Sequence, residues 1–219
     1  MVQNIFIMSF KRLSKNIFLL FFTSILIQYN SVLFSQPNDS TLNYKNGVVK
    51  FNEGNFEVAE LEFKKAIELN PKNSYALFYL AEIYSIANEN QKAMENYSKA
   101  IELDSLNPKS FKGRGKLKAK MEDYHGSIDD FTKAIALDKN FADAYFNRGL
   151  SLLNLKEYKL SIEDFSKVVK LNPKDYQAYV QRGTAKFQLN DNKGACKDWS
   201  KAGELGYFKI YETIKKNCN

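Results

Sequence analysis

The stretch "KAIELNP" at residues 65–71 returns as "KAIELDS" at 99–105, "KAIALDK" at 133–139, "KVVKLNP" at 167–173 and "KAGELGY" at 201–207, each time after 34 residues. A fixed period of this length marks an array of small units, none of which can bury a core alone. Counting the units from Ser40, Ser74, Pro108, Ala142 and Tyr176 brings further positions into register. Position eight is small throughout (Gly47, Ala81, Gly115, Gly149, Gly183), and so is position twenty (Ala59, Ala93, Ser127, Ser161, Ala195). Position twenty-four is always aromatic: Phe63, Tyr97, Phe131, Phe165 and Trp199.

Apolar residues three and four apart predict two helices in each unit, and the small residues let those helices approach while the aromatics fill the space between them. Breaker clusters fall where a helical hairpin needs them. "NEGN", "ANEN" and "LNDN" lie inside units, and "LNPKN", "LDSLNP" and "LNPKD" lie between them. The four prolines, Pro37, Pro71, Pro108 and Pro173, all fall outside the predicted helices, and no strand pattern survives anywhere.

On these residues the chain resembles the tetratricopeptide repeat family over residues 40 to about 207. The resemblance implies an all-α fold, a right-handed superhelical solenoid of about five hairpins (40–73, 74–107, 108–141, 142–175 and 176–206) whose concave face, lined by the first helix of each unit, binds a peptide or partner segment. It implies no reaction. Unit one matches more loosely, with Asn43 and Asn46 where larger apolar residues are usual. The tail "KAGELGYFKIYETI" also resembles the related Sel1-like hairpin, and residues 207–219 are expected to form a capping helix.

The start of the chain speaks to compartment. After Lys11, Arg12 and Lys15, the run "IFLLFFTSILI" at 17–27 is apolar except for Thr23 and Ser24, and no acid appears before Asp39. That is the pattern of a secretory signal. Eleven helical residues would reach roughly 16 Å, about half of a 30 Å hydrocarbon core, so a membrane anchor is the weaker reading. We expect a signal peptide at 1–35, cleaved after Ser35, a linker at 36–39, and a periplasmic or secreted protein of a Gram-negative bacterium. Without the leader's three basic residues the net charge falls from +7 to +4, a mild excess.

Cys196 and Cys218 are the only cysteines. Their midpoint is residue 207, beside Gly206, so two antiparallel helices reversing there would bring the thiols level. In an exported protein that arrangement favours a disulfide pinning the capping helix, worth roughly 3 kcal/mol by chain entropy, over two free thiols. Two ligands complete no zinc site, and no CxxC is present.

Position seven, usually large and apolar in the family, is Arg114, Arg148 and Arg182 in units three to five. Position twenty-three of the same units is Asp130, Asp164 and Asp198. Units one and two carry Asn46 with Glu62 and Leu80 with Asn96 instead. The paired change predicts structural ion pairs between helices, the alternative being solvated surface charge. Arg12 is the only other arginine, so none remains for bidentate reading of bases or phosphates. No nucleic-acid partner is expected.

If the family's groove positions hold, unit two offers Tyr75, Phe78, Tyr79 and Glu82, and unit three Lys109, Lys112, Lys116 and Lys120 on one helix face. Unit four offers Phe146, Asn147, Leu150 and Asn154, and unit five Val180, Gln181, Thr184 and Phe187. A lysine stripe between apolar flanks suits a protein or peptide partner with acidic groups beside hydrophobic anchors; a solvated helix face is the plainer alternative. The carboxylate clamp of chaperone-binding relatives finds only Lys112, Lys116, Asn147, Gln177 and Gln181 here, without the clamp's asparagine at position nine, and is not carried over.

His125, in "DYHGS", is the single histidine and reads as a solvated turn residue. With no nucleophile, base or metal constellation, we expect no enzyme, no catalytic residue, no metal and no cofactor. The leading function is an exported adaptor for another protein. A periplasmic module for a small acidic ligand or glycan is the alternative.

Overall fold

The computed structural model describes residues 40–218, where eleven helices follow one another without a strand. The expected leader at 1–35 and linker at 36–39 lie outside the described residues, as does Asn219. Helices α1 (Ser40–Asn52) and α2 (Phe56–Leu69) form the first hairpin, α3 (Ser74–Ile86) and α4 (Asn90–Leu103) the second, and α5 (Pro108–Lys120) and α6 (Tyr124–Leu137) the third. Helices α7 (Ala142–Asn154) and α8 (Tyr158–Leu171) form the fourth, α9 (Tyr176–Gln188) and α10 (Asn192–Glu204) the fifth, and α11 (Ile210–Asn217) closes the end. Each helix packs on the next in sequence, so the fold is an all-α solenoid.

Local chemistry starts and stops these helices. Asn55, Asn73, Asp123, Asp175 and Asp191 accept hydrogen bonds from first-turn amides of α2, α3, α6, α9 and α10, satisfying donors that a helix start leaves open. Pro108 is not outside the helices, as the sequence suggests, but is the first residue of α5, where a missing N–H costs nothing. Each hairpin turns through a left-handed residue at position fifteen: Gly54 (φ 77°), Asn88 (62°), Glu122 (64°), Lys156 (62°) and Asn190 (61°). The closing helix is shorter than residues 207–219. The chain first reverses at Gly206 (φ 100°), and Tyr207–Lys209 form a turn before α11.

The repeated aromatics are the core. Phe63, Phe131 and Phe165 are fully buried, with Tyr97 1% and Trp199 3% exposed. In the four units with glycine at position eight the ring lies directly on it: a Cβ on Gly149 would stand 2.9 Å from Phe165 Cε1, and one on Gly183 2.7 Å from Trp199 Cδ1. Helix α1 buries only Ser40 and Gly47. Its Leu42 and Val49 are 47% and 52% exposed, whereas Ala76 and Ile83, one period later, are 0% and 4% exposed against the unit before them. At the other end Ile210 and Ile214 of α11 pack with Trp199 and cover the last hairpin.

Candidate functional site: an inner face with a cleft at its C-terminal end

Two sets of repeated residues organise the solenoid. The first joins its helices. Arg114 donates from Nε and Nη2 to the two carboxylate oxygens of Asp130 at 2.9 and 2.8 Å, Arg148 likewise to Asp164 at 2.8 and 2.7 Å, and Arg182 to Asp198 at 2.8 and 2.6 Å. The remaining arm, Nη1, reaches back one unit to Ser98 Oγ (3.2 Å), Thr132 Oγ1 (3.0 Å) or Ser166 Oγ (3.2 Å). Each guanidinium thus ties the second helix of its own unit to that of the unit before. The planar fork fits a carboxylate bidentately and retains a third donor, a geometry that lysine lacks.

The three pairs are not equivalent. Asp130 also meets Lys118 Nζ at 2.9 Å, and Asp198 meets Lys186 Nζ at 2.8 Å. In unit four Leu152 stands at that position, so Asp164 faces its arginine without a lysine. Burial pushes the Asp164 carboxyl up, and the hydrogen bond from Arg148 works against it. The same bond raises the Arg148 guanidinium, which stays protonated.

The second set lines one side of the stack. Across neighbouring units the first helices touch one another (α1 with α3, α3 with α5, α5 with α7, α7 with α9), with no comparable contact among the second helices. The array is therefore narrower along its first helices, which form the inner face.

The structure distributes the expected inner-face residues unevenly. Phe78 is corrected to a core residue: it is 8% exposed, with its ring centroid 6.1 Å from that of Tyr97 and 5.2 Å from that of Tyr79. Tyr79 is half-buried and stacks on Phe63 at 5.3 Å, and Glu82 accepts a hydrogen bond from Tyr97 Oη. Tyr75 remains 51% exposed. Lys120 is tied down, donating to Ser85 O (3.1 Å) and Asn88 Oδ1 (2.6 Å) at the end of α3. Lys112 Nζ lies 5.8 Å from the centre of the Phe141 ring. Lys109 and Lys116 are exposed.

On α7 the Asn147 and Asn154 amides are turned to their own helix, donating to Asp143 O and Leu150 O. Thr184 likewise donates to Val180 O, and Phe187 packs 5.5 Å from Trp199. What remains open is a cleft of about 340 Å³ lined by Phe146, Leu150, Tyr176, Gln177, Val180, Gln181 and Tyr207. No lining side chain is charged. Tyr176 stacks on Tyr207 at 5.2 Å, so the turn before α11 supplies the end wall. Cys196 and Cys218 sit behind that wall with Cα atoms 5.7 Å apart and sulfurs 2.02 Å apart, a bonding distance.

Sequence reasoning missed Tyr176 and Tyr207, because position one of a unit and the residue after the last unit carry no repeated signal. His125 is placed differently as well: it is exposed but lies in the first turn of α6, not before it. Among the described residues no group of three or more His, Cys, Asp or Glu could hold a metal, and no helix is long and apolar enough to cross a membrane.

The structure is thus a solenoid of two-helix units with an uncharged cleft on its inner face. Tetratricopeptide repeat models match residues 41–73, 62–95 and 142–175, and the chain belongs to the tetratricopeptide repeat family, whose members serve as protein–protein interaction scaffolds. The search among curated proteins gives no significant match. Among solved structures, the chain is similar to the MamA protein, with 26% identity and a TM-score of 0.68 over 81% of this chain and 94% of that one. YrrB, described as a TPR protein with an unusual peptide-binding site, superposes with a TM-score of 0.71 at 18% identity, over 85% and 97% of the two chains. PilF of Pseudomonas aeruginosa gives 0.70 at 22% identity over 76% of each. At those two identities the likeness is one of fold.

Proposed function

We propose that this protein is an exported, non-enzymatic adaptor that holds a segment of another protein along its inner face, with the cleft between α7, α9 and Tyr207 as the principal anchor site. One observation carries the reading: the inner face passes from exposed lysines on α5 to an uncharged cleft of about 340 Å³ walled by aromatic, aliphatic and amide side chains. Desolvated aromatic and aliphatic contacts supply most binding energy, and charge at the margin speeds the encounter. The partner accordingly offers hydrophobic anchors beside acidic groups. Arg114, Arg148 and Arg182, the arginines among the described residues, offer nucleic acid little, since each is committed to an aspartate and a hydroxyl.

Export follows from the basic and apolar start of the chain, with Gln36 as the first mature residue, and an oxidising compartment suits a Cys196–Cys218 disulfide that holds α11 on the stack. The test is a cross-linked pull-down from the native envelope with wild type and with Lys112→Glu/Lys116→Glu, together with the intact mass of the purified chain. The reading expects a discrete partner lost in the double variant and a mass beginning at Gln36. A partner retained undiminished by a variant that still folds, or a mass that retains the leader, counts against it.

A further inference from the structure

We infer that the inner face reads its partner in a fixed register: one apolar side chain in the cleft and one acidic side chain about four to five residues away along an extended segment, seated on Lys112 and Lys116. This rests on the adaptor reading above and adds to it a spacing. Over α5, α7 and α9, positive charge on this face is confined to α5. At positions two, five, nine and thirteen α5 presents Lys109, Lys112, Lys116 and Lys120, whereas the same positions of α7 are Asp143, Phe146, Leu150 and Asn154 and those of α9 are Gln177, Val180, Thr184 and Gln188. Lys120 is already held by α3, and Asp143 stands level with Lys109 at position two. That leaves Lys112 and Lys116 as the cations level with Phe146 and Leu150, two residues that line the cleft.

A segment crossing the helices at this level meets the lysines first, then Phe146 and Leu150, then Val180 and the Tyr207 wall. Packed helices lie about 8–10 Å apart, so the cleft between α7 and α9 is about one and a half spacings, roughly 12–15 Å, from α5. An extended chain covers about 3.3 Å per residue, which gives the interval of about four to five residues. Gln177 and Gln181, at the cleft's rim, supply amide groups that can pair with the segment's backbone without selecting its side chains.

The experiment uses the mature chain and synthetic extended peptides with one phenylalanine or leucine anchor and an aspartate pair placed about two, about four to five, or about eight residues from it. Fluorescence anisotropy gives Kd for wild type, Lys116→Glu and Gln181→Trp, the last filling the cleft, with circular dichroism confirming that each variant folds. The register expects tightest binding at the middle spacing. Lys116→Glu should weaken that peptide roughly five- to tenfold and regain affinity when the aspartates become lysines. Binding abolished by Gln181→Trp but indifferent to spacing and to Lys116 would overturn the register and leave the adaptor reading standing. Binding indifferent to Gln181→Trp, or absent for every peptide, would overturn both.

Discussion

Arg148 and Asp164 meet through two parallel hydrogen bonds of 2.8 and 2.7 Å across the helices of one repeat, with no second cation on the carboxylate. Asp164 is buried to 4% exposure, so the guanidinium is what makes its charge tolerable there. Removing one partner of such a pair strands the other and costs roughly 3–5 kcal/mol. Arg148→Met should therefore destabilise the protein by about that much. Arg114→Met and Arg182→Met should cost less, since Lys118 and Lys186 still face Asp130 and Asp198. Urea unfolding of the three variants gives the order, and an Arg148/Asp164 double-mutant cycle gives the coupling; equal losses or zero coupling would refute this reading of the pair.

The left-handed turn residues make a prediction of opposite sign. Lys156 adopts φ 62° at a position where unit one has Gly54. A side chain in that region is strained, and glycine is not, although glycine loses more entropy on folding. Lys156→Gly is expected to stabilise the protein by about 0.5–1 kcal/mol, measured as a higher urea midpoint at unchanged slope. A lower midpoint would mean that the lysine side chain contributes more there than its backbone costs.

Alkaline pH tests the core. Burial, with the Glu82 carboxylate beside it, drives the Tyr97 hydroxyl far above the ordinary tyrosine value, and burial also raises Tyr44 and Tyr84. Because these folded-state values lie above the unfolded one, the fold holds protons that the unfolded chain gives up beyond about pH 10. Their contribution is complete below that pH and is lost as pH rises further. Absorbance at tyrosinate wavelengths should show a steep late step, from the tyrosines held by the fold, coincident with loss of helical dichroism. Smooth ionisation of every tyrosine with the helices intact would contradict the burial of Tyr97.

Much of this was legible in the sequence, for a reason that lies in the repeat. A 34-residue period writes each packing contact five times, so Gly149 against Phe165 announces itself beside Gly183 against Trp199. The arginine–aspartate spacing of 16 residues was equally visible. The hydroxyl that receives each third arm, at Ser98, Thr132 and Ser166, also recurs every 34 residues, but its role depends on a contact between units that no single unit displays. Phe78 was misplaced because position five faces inward only where the neighbouring rings leave it free, and here Tyr79 and Tyr97 close over it. The cleft's end wall was hidden for the complementary reason: Tyr207 stands in register with Pro71, Ser105, Lys139 and Pro173, so its aromatic ring is not repeated in any other unit.

The most direct measurement of the central claim is backbone-amide NMR of the mature chain titrated with the best-binding peptide of the spacing series. The account predicts shifts confined to α5, α7, α9 and the turn at Tyr207, including Lys116, Leu150 and Gln181, with α6, α8 and α10 unmoved. Shifts clustered instead on the second helices around Thr132, Glu163 or Lys197, with Leu150 and Gln181 still, would contradict it.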